Sequence, residues 1–357
     1  MDWLFEIPFL GVVLQLLAYL IEVLPRLAPN TLSLATPIAL GAMCGVLCER
    51  SGVVNIGIEG IMLIGAFVGF FAGVLAVGMV PNDPLLGPGT PFNATLPLVV
   101  AVVAAVLSGM LISTLHAWLT ISARADQIVS GVIINIAAVG LTGYFFQFME
   151  PGTRGATTFR TFVPPEWLID LPFVGWLLAM FLRQGPIAMS VIIIVIVLQV
   201  LLFRSRWGLR TRAVGEHPKA ADTVGINVLA TRYRNVIIGG GFAGLAGAYL
   251  TLESTGSFQE GMTTGRGFIA LAAVIFGRWT PVGALLGALL FAGSEALGIQ
   301  ISIIRPPGEL GDLLTQLPNN VYRSLPYVLT IIILAGVVGR SIPPAAVGRP
   351  YEKESTA

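Results

Sequence analysis

Eight stretches of this chain run for roughly twenty residues almost without a charge, the length a helix needs to cross a bilayer. They are 31–48, 61–80, 95–120, 127–149, 186–203, 235–252, 281–301 and 325–339. Two more, 8–24 and 167–182, are apolar but interrupted. The expected fold is therefore all-α, a polytopic transmembrane helix bundle of eight to ten spans. Composition agrees: 55% of the 357 residues are hydrophobic and only 11% charged, against roughly 25% charged in a soluble domain. Too little polar surface remains to coat a water-soluble globule. A net charge of +1 without a basic tail gives no reason to expect nucleic acid as a partner.

The opening "MDWLFEIPFL" carries Asp2 and Glu6 where a signal peptide has its basic region, and no small-residue cleavage site follows. Residues 1–30 are expected to keep a helix that either crosses the bilayer or lies in its interface. Segment 204–234 holds six arginines and one lysine against Glu216 and Asp222, which makes it cytoplasmic. Counting spans from there puts 81–94 outside, 302–324 outside and the tail 341–357 inside. The parity closes if 267–278, "GFIALAAVIFGR", dips in and joins the next span. It is too short to cross, since ten helical residues cover about 15 Å. A second interrupted segment, "RSGVVNIGIEG" at 50–60, lies in the first half. Irregular backbone at membrane depth is tolerated where protein or a water-filled cavity satisfies it. The expected helix breaks are Gly57, Gly60, Gly267 and Gly277. Two broken segments, one in each half, point to a transport pathway, with 31–340 as the permease domain.

Polar residues mark the candidate path. Asn55 and Glu59 share a face if the segment is helical, and Gln127, Gly131 and Asn135 recur every four residues down one helix. The candidate path residues are Asn55, Glu59, Gln127 and Asn135. Each has a plainer reading as hydrogen-bonding glue between helices, worth about 0.6–2 kcal/mol; for Glu59, capping a cytoplasmic helix end is the other. Glu295 carries the same ambiguity. Four-residue spacing of Gly239, Ala243 and Gly247, of Gly240 and Gly244, and of Gly283 and Gly287 predicts close helix packing.

No catalytic residues are expected. Cys44 and Cys48 stand one helical turn apart with no histidine near, and His116 and His217 are far from each other in sequence, so no metal site is expected. The two lysines, Lys219 and Lys353, follow proline and glutamate, so the chain has no GxxxxGK phosphate-binding loop. If transport is driven by ATP, another chain burns it. "AVGEHPKAADTVGI" at 213–226 predicts a short cytoplasmic helix entered at Pro218 and closed by Gly225, either a docking element or an ordinary headgroup-contacting helix.

"ERSGVVNIGIEGIMLIGAF", "AVGEHPKAADTVGI" and "GFIALAAVIFGRWTPVGALLGALLF" together resemble the permease subunits of ABC importers for branched-chain amino acids, ribose-type sugars and nucleosides. The similarity spans about 31–340 and is greatest to the nucleoside and simple-sugar branch. That resemblance implies a bacterial plasma-membrane importer with three partners: an ATPase subunit carrying ATP and Mg, a second permease, and an external solute-binding lipoprotein. This chain itself would bind no cofactor. Gly215, Glu216, His217, Pro218, Lys219, Ala220 and Ala221 match the loop that engages the ATPase, with His217 where asparagine is commoner. Asn55, Gly57, Glu59 and Gly60 match the broken-helix motif. The alternatives are a branched-chain amino acid or monosaccharide permease and, less favoured, a proton-coupled carrier working through Glu59 or Glu295.

Overall fold

The computed structural model describes residues 8–81, 84–85, 92–149, 158–169, 171, 174–304, 321, 324, 328 and 341–352. The expected span 325–339 and most of the expected outer loop 302–324 lie outside the described residues. Helices α1 (Pro8–Arg50), α2 (Ile58–Val77), α3 (Leu96–Ala117) and α4 (Gln127–Phe146) come first. They are followed by the short α5 (Glu166–Ile169) and α6 (Gly175–Leu182), then α7 (Pro186–Arg204), α8 (Arg206–Glu216) and α9 (Pro218–Thr223). The series ends with α10 (Val228–Tyr249), α11 (Arg266–Phe276) and α12 (Pro281–Ile303). Single π-helical turns extend α3 over Trp118–Ser122 and α10 over Leu250–Thr255. Among the described residues there is no strand.

Seven of these helices are long and apolar enough to cross a membrane. The chain is a multi-pass membrane protein. Helix starts follow ordinary capping chemistry. The Asp126 carboxylate accepts from the amides of Ile128 and Val129 (2.8 and 3.0 Å) at the head of α4. Ser205 does the same for Gly208 and Asn227 for Ala230. Proline stands in the first turn of α3, α7 and α9, where a missing N–H costs nothing.

Four expectations need correction. The stretches 8–24 and 31–48 are parts of one continuous helix, which carries Pro25 and Pro29 within it. The stretch 167–182 is not a span; α5 and α6 have four and eight residues, and eight cover only about 12 Å. The connection between α7 and α10 is helical over Arg206–Glu216, where only one short helix was expected. Helix α10 begins at Val228 rather than 235, because Arg232 is accommodated inside: it is 1% exposed and its Nη1 donates to the Arg349 carbonyl (3.0 Å).

The chain forms two compact units. One comprises Met1–Ala35, Phe162–Gln184 and Leu289–Gly339. Within it, Gln184 Nε2 donates to the carbonyls of Pro29 and Met180 (2.9 and 3.0 Å), and Tyr19 Oη donates to the Ile304 carbonyl (2.8 Å). The other comprises Thr36–Thr161, Gly185–Ala288 and Arg340–Ala357, and holds every candidate residue named above except Glu295. Its centre is α10. The most apolar window of that helix is 78% buried, against 28% for α3 and α4, which face outward. The reason is the glycine seam. A Cβ on Gly109 of α3 would sit 2.3 Å from the Gly240 carbonyl, and one on Gly244 would sit 2.2 Å from the Ala105 carbonyl. The backbones of α3 and α10 touch, and only glycine allows it.

Candidate functional site

Helix α1 ends at Arg50, and the next seven residues, Ser51–Gly57, are non-helical yet buried or half-buried. Gly52 turns the chain with φ +90°, a conformation that suits glycine. Backbone polar groups at this depth have no water, so each needs a partner in the protein. Four side chains supply them. Gln127 Oε1 accepts from Val54 N (2.7 Å), and His116 Nε2 donates to the Val54 carbonyl (3.0 Å). Asn55 Oδ1 accepts from Gly57 N (3.0 Å). Asn135 uses both ends of its amide: Nδ2 donates to the Ile56 carbonyl (3.0 Å) and Oδ1 accepts from Gly60 N (2.7 Å).

The stripe on α4 is thus a zipper along the break. Its glycine is as necessary as its amides, since a Cβ on Gly131 would stand 2.7 Å from Gly57 N. Gly60 faces Asn135 the same way, with 2.8 Å to its Cα. Because the Val54 carbonyl can only accept, the His116 proton sits on Nε2, leaving Nδ1 to accept from Ser130 Oγ (3.0 Å).

The second break lies between α10 and α11. Gly265 (φ +84°) caps α11, an eleven-residue helix of about 16 Å that cannot cross a bilayer. Its free amides point at Glu59. Oε1 accepts from Gly265 N (2.7 Å) and Oε2 from Gly267 N (2.6 Å). A Cβ on Gly267 would lie 2.6 Å from the Glu59 Cα. A carboxylate at a helix N-terminus satisfies orphan donors and complements the helix dipole. Glu59 therefore links the first turn of α2, in the first half of the chain, to the half-length helix of the second.

The far end of α11 is fixed as well. Gly277 turns tightly against Gly283 and Ala284, while Arg278 and Trp279 follow at φ +51° and +54°. Arg50 binds their carbonyls, with Nε to Trp279 O (2.7 Å) and Nη2 to Arg278 O (3.1 Å), and Trp279 Nε1 donates to Glu49. Both ends of the re-entrant helix are thus held by residues around the first break.

Helices α8 and α9 meet at His217, whose φ of −137° makes the bend between them. Of the seven expected docking residues, Gly215 and Ala221 face inward, Pro218 is half-buried, and Glu216, His217, Lys219 and Ala220 are exposed. Gly215 sits on the end of α1, where a Cβ would be 2.2 Å from the Arg50 carbonyl. The tail 341–352 straps the pair from behind. Ala346 N donates to the Gly215 carbonyl (2.9 Å) and Ala345 N to the Glu216 carboxylate (3.1 Å). Tyr351 closes a small apolar cluster with Val214, Ala221 and Val228. Arg124 pairs with Glu352 at 2.8 Å, and Ser341 Oγ donates to the Ile275 carbonyl on α11.

Sequence reasoning missed three parts of this assembly. His116 lies on a buried face with Gly109 and Ser113, and that spacing was the available signal. Glu253 accepts from Ile187 N and Ala188 N (2.7 and 3.2 Å) and caps α7, at a distance of 66 residues along the chain that no local pattern reveals. The tail's role had no signal. Glu295 lies half-buried in α12. Cys44 and Cys48 are free and buried, with the Asn55 amide toward both sulfurs (3.9 and 4.0 Å). Among the described residues, no three of the His, Cys, Asp and Glu side chains are grouped to hold a metal ion.

Residues 27–334 match the family described as branched-chain amino acid transport system, permease component. The chain is 39% identical over 338 residues to the guanosine ABC transporter permease protein NupQ of Bacillus subtilis, covering 94% of this chain and 98% of that one. It is 35% identical to the nucleoside ABC transporter permease protein NupC of Lactococcus lactis, over 93% of this chain and 98% of the relative. A putative glucose ABC transporter permease protein of Haloferax volcanii, TsgC13, is 34% identical over 91% of this chain and 96% of its own.

Proposed function

The chain belongs to the family of branched-chain amino acid transport system permease components, and on that premise we propose that it conducts nucleosides across the plasma membrane. It is the permease subunit of an ABC transporter. The observation that carries the nucleoside reading is the 39% and 35% identity, over nearly the whole chain, to permeases named for guanosine and for nucleosides. A simple sugar is the second reading, favoured by the 34% identity to the glucose-named relative. In the proposed assembly a separate ATPase chain docks on the exposed residues of α8 and α9, a second permease completes the conduit, and an external binding protein delivers the solute.

The polar residues of the breaks act as frame rather than as solute ligands. Asn135 has spent both ends of its amide on backbone, and both Glu59 oxygens already accept amides. A polar solute that sheds water needs compensating partners; in this proposal a rigid frame keeps them in place.

The test is ATP hydrolysis by the assembled complex, measured while guanosine, adenosine, ribose, glucose and leucine are offered through its external receptor. Stimulation by the nucleosides alone is the expected result. Stimulation by glucose without nucleosides would establish the sugar reading, and by leucine alone would overturn both.

A further inference from the structure

Helices α7 and α10 leave a groove of about 520 Å³ between them, lined by apolar side chains including Ile194 and Leu201 on one side and Ile238 and Phe242 on the other. Trp207 and Arg234 also line it, the Arg234 guanidinium lying 5.8 Å from the indole ring centre. Arg210 is a like-charged neighbour of Arg234, and both are exposed. Among the described residues neither has an acidic partner, the ion pair there being Arg124 with Glu352.

We propose that this groove holds one anionic phospholipid of the cytoplasmic leaflet, its acyl chain along α7 and α10 and its phosphate at Arg234 and Arg210. Four features favour this occupant. The arginines lie in the most basic segment of the sequence, 204–234, which the positive-inside rule places at the cytoplasmic surface. From Arg234 to Phe242 is eight residues, about 12 Å of helix, close to the ~15 Å of one hydrocarbon leaflet. Trp207 stands at headgroup level, where an indole is at home. An apolar helix from another chain would fill the groove but bring no counter-charge to two like-charged, exposed arginines, whereas a phosphate supplies one and binds arginine bidentately. Stacking on Trp207 leaves the N–H edges of Arg234 free to donate.

The test is native mass spectrometry of the purified full-length chain, offered phosphatidylglycerol or phosphatidylcholine with the same acyl chains. One phosphatidylglycerol retained per chain, in clear excess over phosphatidylcholine, is expected. Arg234→Gln and Arg210→Gln are surface changes and should each weaken retention about five-fold. Ile238→Trp fills the groove without altering charge and should displace the lipid. Equal retention of the two lipids, or retention unchanged in the arginine variants, would overturn the proposal. So would disulfide capture of a second polypeptide by a Val197→Cys variant, since the native cysteines are buried and such capture would make the groove a protein interface.

Discussion

Replacing Glu59 with glutamine perturbs the joint between the two halves while adding almost no volume. The amide keeps one acceptor oxygen and turns an NH2 toward the other backbone donor, so either Gly265 N or Gly267 N loses its partner. A hydrogen bond to a charged group contributes about 1.5–3 kcal/mol. Losing the charge at the head of α11 removes a further ~0.3–1 kcal/mol of dipole interaction. Because Glu59 is only half-buried, the lower part of that range applies, about 2 kcal/mol. At 1.4 kcal/mol per decade this makes the first turn of α11 open about 30-fold more often. Hydrogen–deuterium exchange on peptides covering 260–270 reads the effect directly. Glu59→Ala, which removes both acceptors, should open the turn further still, while peptides from α3 stay protected. Exchange at 260–270 unchanged in both variants would mean that the carboxylate does not hold the re-entrant helix, and the joint described here would be wrong.

Asn135→Leu leaves Gly60 N and the Ile56 carbonyl unpaired; at about 1–3 kcal/mol for each stranded group, thermal unfolding in detergent should fall by several degrees. Gly244→Leu forces a side chain into the Ala105 carbonyl, 2.2 Å from where its Cβ would stand, so the variant should be recovered aggregated on size exclusion while Gly140→Ala, in open space, is not. Tyr351→Ala empties the cluster behind α8 and α9, a loss of about 2–4 kcal/mol locally. Limited proteolysis should then cut first within 206–227, and identical cleavage rates would show that the tail does not brace these helices.

The apolar runs alone located α3, α4, α7 and α12 to within a few residues, because hydrocarbon sets their length and little else competes. The half-helix α11 was legible for the same reason, as a run too short to cross. Charge misled where it was buried: Arg232 read as loop, yet a carbonyl in the tail accepts from its Nη1 and α10 extends past it. Helix α8 was hidden by its arginines, since its buried face is only Gly208, Thr211, Val214 and Gly215, with one large apolar side chain for periodicity to reveal. At the site, the spacing of Gln127, Gly131 and Asn135 announced a polar face but not what it would meet. What it meets is backbone 73 to 79 residues away in sequence, and pairing at that range comes from tertiary packing, which a local pattern cannot encode. Glu59 was recognised as costly at depth, but its partner amides lie more than 200 residues on.

In the proposed assembly this polypeptide supplies the conduit and another supplies the force. That division is tested most directly by solute accumulation in proteoliposomes, comparing this chain alone, under an imposed proton gradient, with the full complex given ATP. Accumulation only by the complex, abolished when Lys219 and Ala220 on the exposed face of α9 are replaced by aspartate, is the predicted result. Accumulation by the chain alone would contradict it.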